Sequence, residues 1–261
     1  MIDKYITESP ELQGNIELES LEGIEECRDK WTRYFYNGVA VPRMTEILKE
    51  CVGKDYLVYY ALSCKNYKQE SDQVLYIGTL VHELIDEFLL KGSADLTKII
   101  WPNETVFNQV TKAYNNFVRW YNDMTAEGYI IKTLEIEKKI VVPVLGGTID
   151  AILQITKPGA RNSSNFIVDF KTSTKISHEY LIQTYGYMWA VKWFNKFAKS
   201  EYPDINGIGI IRVDKKSKKY ETLFLDETDP YIINIHNAFV SCLDWYYYQK
   251  NLMYIVKNTK M

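Results

Sequence analysis

Hydrophobic positions along the chain recur at helical spacing in the first half and at strand spacing in the second. Asn37-Gly38 lies between two short apolar-rich runs within residues 32–41 and predicts a β-hairpin. Thr45 then reads as the cap of a helix running to about residue 63, with Glu46 in its first turn. Gly78 precedes TLVHELIDEFLLKG, a second helix closed by Gly92. Phe107, Val110, Tyr114, Phe117 and Tyr121 form one stripe of a third helix over about 104–126. The period changes after that. Residues 134–142 suit a strand, Pro143 to Gly146 a turn, and 147–155 its antiparallel partner. A polar loop, KPGARNSSN, leads to a third strand, FIVDFK, at 166–171. A helix from Ser177 to about Phe197, a hairpin of 207–213 with 220–225, and a helix from about Asp229 to Val256 follow. Helices, three strands, a helix and further strands indicate an α/β chain with a mixed sheet.

The stretch FIVDFKTST places Asp169 and Lys171 on one face of an otherwise apolar strand. An unpaired charge is costly to bury, so these two need a partner or a ligand. On the preceding strand Asp150 shares a face with Thr148, and Gly147 permits a close approach by another chain or a ligand. Two carboxylates at the ends of adjacent strands suit magnesium or manganese, with Lys171 available to stabilise phosphoryl charge. The plain alternative is an Asp169–Lys171 ion pair at a sheet edge. His82 lies at the border of the apolar face of the second helix, four residues before Asp86. That spacing resembles HExxH, but an aspartate replaces the second histidine and removes the zinc-protease reading. Gln183 and Tyr187 share a helix face and could donate to phosphates, or simply pack.

Composition narrows the classes. The chain has 261 residues, 46% hydrophobic and 25% charged, as in an ordinary globular protein. Residues 1–40 hold nine acids against four bases, so an acidic lead-in (1–31) precedes a body (32–261) close to neutral. Such a body argues against indiscriminate polyanion binding but leaves room for a local basic groove. No apolar run is long enough for a membrane span, and the N-terminus has the pattern of neither a secretory signal nor a mitochondrial presequence. The four cysteines, at 27, 51, 64 and 242, form no CxxC pair and read as free thiols in a reducing, cytoplasmic compartment.

Taken together, Gly78-x3-His82, Gly147-x2-Asp150, Asp169-x-Lys171 and Gln183-x3-Tyr187 form a pattern that resembles the PD-(D/E)XK nuclease superfamily. Within it, the pattern is similar to the RecB-like branch, which includes phage exonucleases and mitochondrial genome maintenance exonuclease. The resemblance covers about residues 32–225, with the catalytic core at about 78–225 after a helical region at about 45–126. It implies a restriction-endonuclease-like αβββαβ core, with an extra N-terminal hairpin and helices and a C-terminal helix. By resemblance, His82, Asp150, Asp169 and the backbone carbonyl of Phe170 would hold Mg2+ or Mn2+. Lys171 would be the catalytic lysine beside Asp150 and Asp169. Gln183 and Tyr187 would set their helix against the scissile phosphate. A further acid is expected on the strand before Gly147, and of Glu135 and Glu137 the weak preference falls on Glu135. The RecB-like members that carry an iron–sulfur cluster space their cysteines differently, so no cluster is expected.

The resemblance therefore implies a metal-dependent deoxyribonuclease of replication, recombination or repair. It would be an exonuclease on single-stranded DNA or duplex ends, in a host cytoplasm if the source is viral. Substituting Asp150, Asp169 or Lys171 by alanine is expected to abolish cleavage and leave folding largely intact. If the helical region 45–77 arches over the cleft, Lys54, Lys65 and Lys68 could guide a free end. Lys215 to Lys219 form a basic hairpin tip, read as a solvated turn or a phosphate contact. The alternatives are an inactive nucleic-acid-binding module of the same fold, and an endonuclease of recombination or spacer acquisition.

Overall fold

The computed structural model describes residues 34–52, 67–197 and 202–258. The acidic lead-in, Cys27, Cys64, Lys54 and Lys65 lie outside the described residues. Strands β1 (Tyr34–Tyr36) and β2 (Val39–Val41) form the expected hairpin. Asn37 and Gly38 both have positive φ, 48° and 75°, which gives the turn the twist that antiparallel strands need. Helix α1 (Met44–Cys51) follows, and Arg43, not Thr45, is its N-cap, with no side-chain cap bond. Tertiary pairing sets its start instead: the Gly146 N–H donates to the Pro42 carbonyl at 2.9 Å, and Arg43 bridges to Gly146. The helix stops well short of residue 63.

Helix α2 (Tyr67–Lys91) begins eleven residues before Gly78, so this glycine lies inside a helix and not ahead of one. A helical glycine costs about 1 kcal/mol relative to alanine. Burying Ile77, Val81, Leu84 and Ile85 is worth about 1.5–3 kcal/mol for each side chain, which outweighs that cost. Gly92, at φ 78°, closes the helix as its sequence position suggests. In α3 (Glu104–Ala126) the Asn103 side chain caps the first turn by accepting from the Val106 N–H at 2.9 Å. Val110, Tyr114 and Phe117 of its stripe are buried, while Phe107 is exposed and sits edge-on to Trp101.

Five strands make the central sheet in sequence order: β3 (Ile130–Val142), β4 (Leu145–Thr156), β5 (Ser163–Lys171), β6 (Gly207–Val213) and β7 (Tyr220–Asp226). All neighbours are antiparallel except β5 and β6. A parallel pair requires a crossover, and α4 (His178–Phe197) supplies it. The chain continues into α5 (Tyr231–Asn258). The fold is α/β with a mixed sheet, and the expected αβββαβ order is present.

Helices cover both faces of the sheet. Phe166, Val168 and Phe170 of β5 pack with α2 and α3, whereas Ile167 packs with α1, α4 and α5. That alternation explains why every residue of β6 is buried. It also places Asp169 and Lys171 toward α4, and Phe170 between His82 and Phe117.

Candidate metal centre

The β4–β5 ladder ends with Ala151 paired to Val168. One position further in that register, Asp150 stands opposite Asp169. On the other side of β4, Ile136 pairs with Ala151 and Lys138 with Ile149, which leaves Glu137 opposite Asp150. Glu137, Asp150 and Asp169 therefore occupy one row across three neighbouring strands. The register of β3 slips between Thr133 and Glu135, and Glu137 itself has φ 46°. A non-glycine residue in that region is held by its surroundings at a cost of about 1–3 kcal/mol.

Helix α2 delivers His82 to this row. His82, Glu137 and Asp150 each offer a ligand atom, and these atoms all lie within 4.8 Å of one another. His82 Nε2 is 3.0 Å from the Phe170 carbonyl, and Nδ1 is 3.6 Å from Asp150 Oδ2. The Phe170 N–H donates to the same Oδ2 at 2.9 Å. A carbonyl only accepts, so the tautomer that satisfies it carries its proton on Nε2 and turns the Nδ1 lone pair toward a carboxylate. Two acceptors face each other there, a conflict that a cation or a second proton removes.

Asp169 is 2% exposed. Lys171 Nζ lies 2.7 Å from both of its oxygens, but only the approach to Oδ1 has hydrogen-bond geometry, and the enclosed Oδ2 has no such partner. Burial pushes the Asp169 carboxyl above the usual carboxylate range, against the opposing pull of Lys171. Burial also depresses Lys171, yet Asp169 and Asp150 outweigh it and hold the ammonium above its ordinary value. The Tyr180 ring, 5.0 Å from Nζ, steadies the same ammonium. Asp86, one turn from His82, is pushed up to about 7 by burial, then by Glu137, and its Oδ1 is enclosed without a partner. Burial and the Asp150 charge raise Glu137 as well. Crowded carboxylates with enclosed, unsatisfied oxygens and one imidazole fit a hard divalent cation.

A cleft of about 650 Å³ opens at the Glu137 end of this row, lined among others by Gly78, His82, Asp86, Glu137, Lys171 and Tyr180; Asp150 and Asp169 do not line it. Of the residues singled out in the sequence, His82, Asp150 and the Phe170 carbonyl come together, with Asp169 and Lys171 adjoining. Glu135 does not join them; it pairs with Lys138 at 3.3 Å. Glu137, two residues on, occupies the site instead. Tyr187 is buried with its ring against Gly147, so the close approach that this glycine permits is made by the protein itself. Gln183 donates to the Tyr187 hydroxyl at 3.4 Å, and neither residue lines the cleft. Asp86 and Tyr180 carry no signal in the sequence beyond their places on α2 and in the first turn of α4.

The other expected features are scattered. Lys68 is exposed on α2. Cys51 and Cys242 are free thiols, the Cys51 Sγ donating to the Cys242 carbonyl at 3.0 Å. No helix among the described residues is long and apolar enough to cross a membrane.

The chain matches no family model and no curated protein. Among solved structures, "Crystal structure of SSO0001" is 12% identical over 63% of this chain and 73% of that one, with a TM-score of 0.21, too low to bear on fold or function.

Proposed function

We propose that this protein is a divalent-cation-dependent DNA nuclease, acting as an exonuclease on single strands or duplex ends. The observation that carries this reading is the row of Glu137, Asp150 and Asp169, met by His82 and flanked by Lys171, with Glu137, His82 and Lys171 lining an open cleft. His82, Glu137, Asp150 and the Phe170 carbonyl would hold Mg2+ or Mn2+, and the unsatisfied oxygen of Asp169 adjoins them. Such a cation supplies Lewis-acid stabilisation of phosphoryl charge and acidifies a water.

The chain's own residues supply the rest. Lys171, kept protonated by its carboxylate neighbours, is a donor and not a base, and it stabilises negative charge developing on a phosphate. Asp169 and Tyr180 fix the position of that ammonium. Asp150 also accepts from the Phe170 N–H, which fixes the orientation of its carboxylate before substrate arrives.

End-labelled DNA incubated with magnesium or manganese, with and without a chelator, tests this reading. Shortened products that vanish with the chelator are expected. Comparing linear with circular single strands tests the exonuclease part, and equal loss of circles would contradict it.

A further inference from the structure

The basic tip between β6 and β7 is not a free solvated turn. Helix α3 grips its backbone: Lys112 donates to the Lys216 carbonyl at 3.1 Å, and Arg119 to that of Lys218 at 2.7 Å. Asn116, only 3% exposed, donates to the carbonyls of Asp214 and Ser217 at 2.7 and 2.8 Å. From inside the turn, Asp214 Oδ1 accepts from the N–H groups of Lys216 and Ser217 at 2.7 and 2.9 Å. The buried Arg212 donates to the Ser173 carbonyl at 2.8 Å, which ties the strand next to the tip to the segment that follows Lys171.

In this rigid turn Lys216, Lys218 and Lys219 are exposed, whereas Lys215 is half-buried and lines the cleft with His82, Glu137 and Lys171. Burial depresses the Lys215 ammonium and the adjacent Lys216 adds to the effect, against a smaller opposing pull from Asp214. Among the described residues no hydrogen bond or salt bridge holds the Lys215 ammonium; the nearby Asp214 carboxylate is taken up by the Lys216 and Ser217 N–H groups and by Arg212. A desolvated ammonium without a partner is stabilised by an anion. Val74 and Leu75, 50% and 67% exposed, line the same cleft and offer an unpaired base an apolar surface.

We propose that Lys215 is a substrate-positioning residue that binds a backbone phosphate of single-stranded DNA next to the scissile one, with the α3-clamped turn as its rigid support. This rests on the nuclease reading of the same cleft. Its test is binding of a labelled single-stranded oligonucleotide with cleavage-resistant phosphorothioate linkages, followed by anisotropy in magnesium over a range of salt. Lys215→Gln is expected to weaken binding several-fold and to lower the slope of log affinity against log salt by about 0.7, one phosphate contact on a single strand. Lys215→Arg restores the slope. Lys219→Gln, which removes the same charge from the exposed side of the turn, leaves it unchanged, and all variants keep the parent melting temperature. An unchanged slope in Lys215→Gln, an equal loss in Lys219→Gln, or no binding by the parent overturns the proposal. Lys215-dependent binding without any cleavage of ordinary DNA would remove the nuclease reading alone; cleavage with Lys215-independent binding would remove this inference alone.

Discussion

His82 and Asp150 face each other at 3.6 Å while both hold the backbone of one residue, Phe170: His82 through its carbonyl, Asp150 through its N–H. Helix α2 and strands β4 and β5 are locked together at the point where the β4–β5 ladder ends. The arrangement leaves an imidazole lone pair and carboxylates aimed at a common volume. A divalent cation that binds the native chain raises its stability, by about 2.7 kcal/mol when present at a hundred times its dissociation constant. Manganese should therefore raise the melting temperature of the parent chain. Asp150→Asn and Glu137→Gln should lose that increase, and Glu135→Gln should keep it.

The Asp169–Lys171 pair changes what alanine substitution is expected to do. The sequence leads one to expect Lys171→Ala to leave folding largely intact; with Asp169 2% exposed, it leaves a buried carboxylate uncompensated. Breaking such a pair costs about 3–5 kcal/mol. Lys171→Ala should lower stability in chemical denaturation, and Asp169→Asn combined with Lys171→Met should recover most of it. Both should be inactive, so the loss of cleavage is separable from the loss of stability.

A pH dependence follows from Asp86. Its carboxyl rises to about 7 in the folded chain from the ordinary 3.8. Between those values the native state binds the extra proton, so stability falls as pH rises through that window. Without divalent cations, melting temperature should decline from pH 5 to 8, and Asp86→Asn should flatten the decline. Manganese should also offset it, because a cation beside Glu137 and Asp150 favours the charged carboxylates.

Two glycines of the motif should respond oppositely to alanine. A methyl at Gly147 would overlap the Tyr187 ring, and overpacking of this kind costs about 1–3 kcal/mol. At Gly78 the nearest atom to a new methyl is Thr172 Oγ1 at 3.9 Å, an ordinary contact, and the residue is helical. Gly78→Ala should leave stability unchanged or raise it by up to about 1 kcal/mol. It should lower turnover, because the methyl enters the cleft.

These cases mark where the sequence was informative. Asn37-Gly38 and the two charges within FIVDFK are local signals whose physics does not depend on the rest of the chain. His82, Asp150, Asp169 and Lys171 are singled out as a set only by the resemblance of their combined spacing; taken one at a time, an ion pair at a sheet edge and a histidine at the border of an apolar helix face account for them as well. Glu135 and Glu137 share strand parity, so alternation alone cannot separate them. The register slip after Thr133 and the positive φ at Glu137 decide between them, and both depend on pairing with β4. Gly78 stands ahead of the helix in the sequence pattern, but packing of Ile77 and Val81 carries the helix through it. The role of Lys215 required knowing that Asn116, ninety-nine residues earlier, holds its turn over the cleft.

The most direct measurement is the fate of end-labelled linear single-stranded DNA with the parent chain and Glu137→Gln in manganese. Progressive shortening by the parent, absent with a chelator and reduced at least a hundredfold in the variant, is the expected result, since losing a ligand's neighbour alone costs about 10–100-fold. Intact DNA with the parent chain, or equal shortening by Glu137→Gln, would contradict a metal-dependent nuclease built on His82, Glu137 and Asp150.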